Sequence, residues 1–94
     1  MIGLRLGSFL YQAPEQRKGK KVTIKADIYS LGLLINEIFT GNRYGNIESI
    51  IQGLPERTSR IISQIASLVE KMMKEDPDER PTIWEISNAM SITF

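Results

Sequence analysis

Residues 24–40 have the sequence IKADIYSLGLLINEIFT, the strongest helix pattern in the chain. Its apolar side chains recur at the spacing of one helical face, namely at Ile24, Ile28, Leu31, Leu34, Ile35 and Ile38. Leu33 and Phe39 add apolar surface on other faces, which is typical of a helix buried on several sides. Thr23 is suited to cap the start of the helix, and Gly41 to end it in a left-handed conformation. The stretch therefore predicts a buried central helix.

Further helix signals lie after the central helix. A short helix is predicted near residues 47–52, with Asn46 as its cap. Residues 58–74 have the cleanest amphipathic pattern, with apolar side chains at Ile61, Ile62, Ile65, Leu68, Val69, Met72 and Met73. Thr82 and Glu85 have the spacing of a capping box at the start of a last helix. We expect the chain to fray over its last four residues.

Residues 1–22 show no sustained periodicity and predict an ordered, irregular segment with one helical turn after Pro14. Gly32 lies inside the central helix, where glycine costs about 1 kcal/mol relative to alanine. Its presence there predicts that another element packs closely against the backbone. Because no pair of strands is evident, the chain is predicted to be all-α, with three sizeable helices and one short one.

Length and composition restrict the possible functions. Ninety-four residues allow one domain at most. Twelve basic and eleven acidic residues give a net charge of +1, which argues against a nucleic-acid or anionic membrane partner. The basic cluster at residues 17–21 is either a docking patch for acidic groups or a solvated loop, and we favour the loop. No apolar run approaches the ~20 residues needed to cross a bilayer, and the N-terminus does not resemble a signal peptide.

The chain contains neither cysteine nor histidine. Disulfides, thiol nucleophiles, imidazole bases and zinc sites with sulfur or imidazole ligands are therefore excluded. The absence of cysteine fits a reducing compartment such as the cytoplasm. No nucleophile–base pair or cluster of metal ligands is evident, so we expect no catalytic residue and no metal site in this chain.

Three short motifs follow one another: GSFLYQAPE at residues 7–15, DIYSLG at residues 27–32 and DPDERPT at residues 76–82. In this order, and within about 70 residues, they resemble the C-terminal, helical lobe of protein kinase catalytic domains. The resemblance covers essentially the whole chain. It implies an all-α large-lobe fragment without the small lobe: the end of the activation segment (1–22), the central helix (23–41), and a short helix with two C-terminal helices (46–94).

The resemblance also implies roles for individual residues. Glu15 would form a structural ion pair with Arg80, whereas the residues alone favour two exposed charges worth at most about 1 kcal/mol. Asp27 would support the catalytic loop by accepting hydrogen bonds from its backbone; the alternative is a favourable charge at a helix N-terminus. The substrate-facing loop would include Gly7, Ser8 and Tyr11. The flanking residues favour Ser/Thr kinases over Tyr kinases, and they are similar to kinases of translation-initiation factors.

The sequence lacks the motifs that hold ATP in kinases: it has no G-x-G-x-x-G, no D-F-G and no Arg-Asp dipeptide. ATP and magnesium are thus cofactors of the intact family, with no site expected in this chain. We interpret the chain as a fragment of a Ser/Thr protein kinase domain, which phosphorylates protein substrates in the intact family but is not catalytic alone.

Two alternatives remain open: a non-catalytic kinase-like interaction module, and an unrelated small helical bundle that binds DNA or protein through residues 17–25. In the kinase interpretation the apolar central helix needs the missing kinase portion or a protein partner to cover it, so we expect the isolated chain to be marginally stable.

Overall fold

The computed structural model describes residues 8–93. Four α-helices follow one another in this part of the chain: α1 (Pro14–Arg17), α2 (Ile24–Thr40), α3 (Glu56–Met72) and α4 (Ile83–Thr93). The connections contain three short 3-10 helices: Ser8–Tyr11, Ile47–Ile50 and Pro77–Glu79. No β-strand occurs between residues 8 and 93. The all-α prediction is therefore confirmed.

The central helix has the predicted ends. The Thr23 side chain accepts a hydrogen bond from the backbone N–H of Lys25, at 3.2 Å, and so caps the first turn. At the other end Gly41 has a φ of 79°, and its N–H donates to the carbonyl of Glu37. Only glycine adopts this left-handed conformation without a steric penalty, so the helix stops where the sequence predicts.

The core is built around the middle of α2. On one side Ala26, Tyr29 and Leu33 pack with Ala13, which lies just before α1. On an adjacent side Ile28 packs against Met72 of α3 and Ile86 of α4, among other residues. The central helix therefore joins the N-terminal segment to the two C-terminal helices.

The prediction that the apolar face of α2 is buried is wrong at the two ends of the helix. Ile24 is 56% exposed and Ile38 is 71% exposed, although both follow the apolar spacing. The other elements pack against the middle of the helix, where Ile28 and Leu33 are almost completely buried. Periodicity identified the apolar face, but the neighbouring elements cover only part of its length.

The close approach predicted at Gly32 is confirmed. A Cβ atom added to this glycine would lie 2.8 Å from Cγ of Met73 and 3.2 Å from Cβ of Met72. Contacts below 3.0 Å are essentially never observed for real Cβ atoms. Glycine is therefore required here to let the end of α3 pack against the backbone of α2.

Other helices differ from the prediction mainly at their ends. The helix α3 begins directly after Pro55 and ends at Met72, so both ends lie two residues earlier than expected. The short helix near residue 47 is a 3-10 turn, and Asn46 caps it as predicted. The helix α4 extends to Thr93 and so includes three of the four residues that we expect to fray.

The capping box of α4 is confirmed. The Thr82 N–H donates to Oε1 of Glu85 at 2.8 Å, and the Glu85 N–H donates to Oγ1 of Thr82 at 3.1 Å. Both side chains therefore satisfy free N–H groups at the helix start. None of the helices within residues 8–93 combines the length and apolar character that a bilayer crossing requires.

Candidate functional site

The short helix α1 positions the carboxylate of Glu15. Pro14 occupies the first turn of this helix, where its missing N–H removes no hydrogen bond. Oε1 of Gln16 accepts from the backbone N–H of Ala13 at 2.7 Å and fixes the turn from its other end. As a result Glu15 is directed into the protein and is only 5% exposed.

Glu15 meets Arg80 in a buried, bidentate ion pair. Nη1 of Arg80 donates to Oε2 of Glu15 at 2.8 Å, and Nη2 donates to Oε1 at 2.9 Å. The two residues are 65 positions apart in the sequence. The planar guanidinium matches the two carboxylate oxygens, which makes this geometry specific as well as strong.

The remaining N–H groups of Arg80 donate to backbone carbonyls. Nε donates to Lys74 at 2.7 Å, Nη1 to Lys25 at 2.9 Å and Nη2 to Glu75 at 3.1 Å. All five guanidinium donors therefore have an acceptor. The Tyr29 ring lies alongside, with its centroid 4.8 Å from Cζ of Arg80. One side chain thus connects α1, the start of α2 and the segment that follows α3.

The pKa of Glu15 reflects two opposing effects, its burial and its hydrogen bonds with Arg80. Burial acts to raise the pKa of this carboxyl group, but the hydrogen bonds from Arg80 outweigh it and hold the pKa below its ordinary value. Glu15 is therefore ionised at neutral pH, and the charge of Arg80 is compensated inside the protein.

A second set of contacts fixes the segment before α1. The Tyr11 hydroxyl donates to Oε1 of Glu37, and the Ser30 hydroxyl donates to the backbone carbonyl of Tyr11. The hydrogen bond to Glu37 raises the pKa of the Tyr11 hydroxyl above its ordinary value. Residue 11 is thus held at both its side chain and its backbone by α2.

Asp27 lies in the first turn of α2, and one of its carboxylate oxygens lacks a partner. Its Oδ1 atom is buried and accepts no hydrogen bond from residues 8–93. A buried polar atom without a partner costs about 1–3 kcal/mol. The site thus presents an acceptor that needs a donor from elsewhere.

The structure places the remaining predicted site residues as follows. Gly7 lies outside the described residues. The backbone of Ser8 begins the 3-10 helix Ser8–Tyr11, which leads directly to Ala13 and α1. No group of three or more acidic, histidine or cysteine residues within residues 8–93 is arranged to hold a metal ion. The described residues thus form a clamp, the buried ion pair between Glu15 and Arg80. They also leave one buried acceptor, Oδ1 of Asp27, without a donor.

The sequence analysis missed three side chains that take part in this site. Nζ of Lys25 donates to the backbone carbonyl of Arg80 at 2.6 Å and so helps to fix the backbone that carries the paired arginine. Glu37 is the only acidic residue in the second half of an apolar helix. This isolated charge is the feature of the sequence that could have indicated its role. Arg43 lies in a short loop, where neither periodicity nor a motif distinguishes it.

Comparison with known proteins adds an independent finding. Residues 4–91 match the family model described as "Protein kinase domain". The chain is 33% identical to a probable serine/threonine-protein kinase of Dictyostelium discoideum, over 94% of this chain and 9% of that protein. It is 35% identical to eukaryotic translation initiation factor 2-alpha kinase 2 of Plasmodium berghei, over 90% of this chain and 3% of that protein. It is 33% identical to PknA, a serine/threonine-protein kinase of Corynebacterium glutamicum, over 83% of this chain and 18% of that protein. The chain therefore spans less than a fifth of the length of each of these relatives.

Proposed function

Because the chain belongs to the protein kinase domain family, we propose that it forms the helical, substrate-facing part of a Ser/Thr kinase domain that transfers phosphate from ATP to proteins. The buried pair between Glu15 and Arg80 carries this proposal. It ties the segment around Tyr11 to the helical base, which gives a substrate-facing loop a fixed position. A loop that must hold a peptide for phosphoryl transfer needs such a rigid support.

The unpartnered oxygen of Asp27 supports the same proposal. A carboxylate among apolar neighbours is stable only with hydrogen-bond donors, and residues 8–93 supply none to Oδ1. We assign these donors to the backbone of a catalytic loop that the kinase domain contributes outside the described residues. Asp27 would then hold that loop at the start of α2.

The other site residues have matching roles in the proposal. Gly7, Ser8 and Tyr11 form the loop that faces the protein substrate, and Glu37 holds the Tyr11 hydroxyl within it. ATP and magnesium would be bound by residues of the kinase domain other than these, because none of the ATP-binding motifs occurs in this sequence. This chain's own contribution is to position the substrate and to support the catalytic loop.

A chimeric kinase tests the proposed function. The chain would replace the matching segment of the kinase domain of Corynebacterium PknA, its 33% identical relative. Transfer of the γ-phosphate of ATP to casein and to a translation initiation factor would be measured. The initiation factor is included because of the likeness to the Plasmodium kinase. We expect phosphorylation of serine or threonine in at least one of these proteins.

Two variants of the chimera make the result specific. Asp27→Asn removes the charge that holds the catalytic loop and should lower kcat by about tenfold or more, because small misplacements of catalytic groups are costly. Asp78→Asn changes an exposed acid in the 3-10 turn before α4 and should leave kcat unchanged. A chimera that shows cooperative unfolding but no phosphoryl transfer, beside an active parent, contradicts the proposal.

The second candidate is a non-catalytic interaction module, and the exposed apolar side chains of α4 favour it. Trp84 is 81% exposed and Ile92 is 84% exposed, and large exposed apolar groups are typical of surfaces that bind other proteins. Under this alternative the chimera would fold and remain inactive. A protein partner or another part of the kinase would then cover α4.

A further inference from the structure

Arg43 lies in the loop that follows α2, beside the segment that contains Tyr11. The backbone of this loop is fixed, because Nδ2 of the buried Asn36 donates to the carbonyl of Arg43 at 3.1 Å. The guanidinium carbon of Arg43 lies 5.9 Å from the ring centroid of Tyr11 and 5.9 Å from that of Tyr44. Two aromatic rings thus hold the cation in place.

One N–H group of the Arg43 guanidinium, at Nε, lacks an acceptor among the described residues. Its Nε atom is buried and donates to no atom of residues 8–93, and its side chain forms no ion pair within the same residues. Arg80, by contrast, has an acceptor for each of its five N–H groups. A buried donor without an acceptor is unfavourable, so Arg43 is not stabilised in the way that Arg80 is.

The charge of Arg43 has no carboxylate partner within residues 8–93. Glu37 accepts from the Tyr11 hydroxyl through Oε1, and it forms no ion pair with Arg43. Tyr44 is 56% exposed, so the ring that contacts Arg43 borders solvent.

We propose that Arg43 recognises an anionic side chain, a carboxylate or a phosphoryl group, on the protein substrate of this kinase domain. The inference rests on the proposed function, because Tyr11 belongs to the segment that faces the substrate. A carboxylate or phosphoryl group that approaches beside the exposed Tyr44 accepts from the two Nη nitrogens of Arg43, in a bidentate geometry that Arg favours. The aromatic contacts with Tyr11 and Tyr44 restrain the cation before binding, which lowers the entropic cost.

Matched peptides test this assignment in the chimeric kinase that carries the whole chain. Each peptide has one phosphoacceptor serine and, at one flanking position at a time, glutamate, phosphoserine, glutamine or lysine. We expect glutamate or phosphoserine at one position to raise kcat/KM at least fivefold over glutamine, mainly through KM. A preference for phosphoserine alone would identify phosphoryl groups as the ligand, and equal preference would identify any anion.

Variants then assign the preference to Arg43. Arg43→Gln should reduce the ratio of kcat/KM for the anionic and glutamine peptides to about one, and Arg43→Glu should favour the lysine peptide instead. Arg57→Gln, which removes an exposed charge of α3, should leave the ratio unchanged. A ratio near one in an active wild-type chimera, or a preference that survives Arg43→Gln, overturns the inference and leaves the proposed function intact. A folded chimera without activity overturns both.

Discussion

Arg80 and Lys18 both form ion pairs, but their surroundings differ. The Arg80 side chain is fully buried against Glu15, whereas Lys18 pairs with Glu75 at 2.9 Å on the surface, where both side chains are more than half exposed. Water and salt screen the exposed pair, so it contributes little. The buried pair matters mainly because the loss of one partner leaves the other charge uncompensated inside the protein.

Loss of one partner of the buried pair should strongly destabilise the chain. We expect Glu15→Ala to lower the free energy of unfolding by about 3–5 kcal/mol, because Arg80 is then left buried without its carboxylate. The matched control is Lys18→Ala, which breaks the exposed pair and should cost less than about 1 kcal/mol. Urea unfolding followed by circular dichroism measures both. Equal effects of the two substitutions would show that burial does not determine the strength of the pair.

The lowered pKa of Glu15 predicts a loss of stability in acid. A carboxyl group whose pKa is lower in the folded state than in the unfolded state stabilises the fold above its unfolded pKa, about 4.3 for glutamate. This contribution is lost as the pH falls through the folded pKa. Thermal midpoints measured between pH 6 and pH 2 should therefore fall less steeply for Glu15→Gln than for the wild type. Glu70→Gln, on the exposed side of α3, should keep the wild-type slope, and identical slopes for all three proteins would contradict the assignment.

At the scale of secondary structure, nearby residues fix the ends of the helices, whereas residues far apart in the sequence fix how the helices pack. The caps at Thr23, Gly41 and Thr82 each involve residues no more than four positions apart, so they form wherever the helix forms. The packing of α2 on α3 depends instead on Gly32, because only a residue without a Cβ atom lets Met72 and Met73 approach so closely.

Gly32→Ala separates these two effects. Alanine is the better helix former by about 1 kcal/mol, but its Cβ atom would collide with Met73 and force α2 and α3 apart. We expect a net destabilisation of about 1–3 kcal/mol, as for other overpacked cores, measured by chemical unfolding. Ser67→Ala, at an exposed position of α3, should be neutral or slightly stabilising. A stabilised Gly32→Ala variant would mean that the contact does not restrict the packing.

At the scale of the whole molecule, the chain is elongated and leaves large apolar side chains exposed. Its extents are 43 × 26 × 20 Å, so a large fraction of a small chain remains at the surface. Ile38 of α2 and Trp84 and Ile92 of α4 are each more than two thirds exposed. Such surface favours association with other proteins or with further copies of the chain.

The isolated chain should therefore associate in a concentration-dependent manner. Light scattering after gel filtration should give a mass above that of the monomer at about 100 µM, a concentration at which weak apolar contacts are populated. The double variant Trp84→Gln, Ile92→Gln should reduce this mass while keeping the helical signal, whereas Leu54→Gln in the loop before α3 should not. A soluble wild-type monomer with one sharp thermal transition would contradict the prediction.

The sequence by itself determined the features that depend on nearby residues. A hydroxyl at residue 82 and a carboxylate at residue 85 meet because a helical turn brings positions three apart together. Gly41 ends its helix because glycine tolerates a positive φ. The order of the three motifs indicated the kinase domain family, since that order is a property of the chain alone.

Only the tertiary structure decided which charges and apolar groups are buried. The residues alone favoured exposure of Glu15 and Arg80, which lie 65 positions apart and meet because α2 brings α1 and the segment before α4 together. Ile38 follows the apolar spacing yet remains exposed, and Nε of Arg43 is buried without an acceptor from the described residues, in a loop that no pattern distinguishes. The physical reason is that helix ends depend on neighbours along the chain, whereas burial depends on which distant elements pack against a residue.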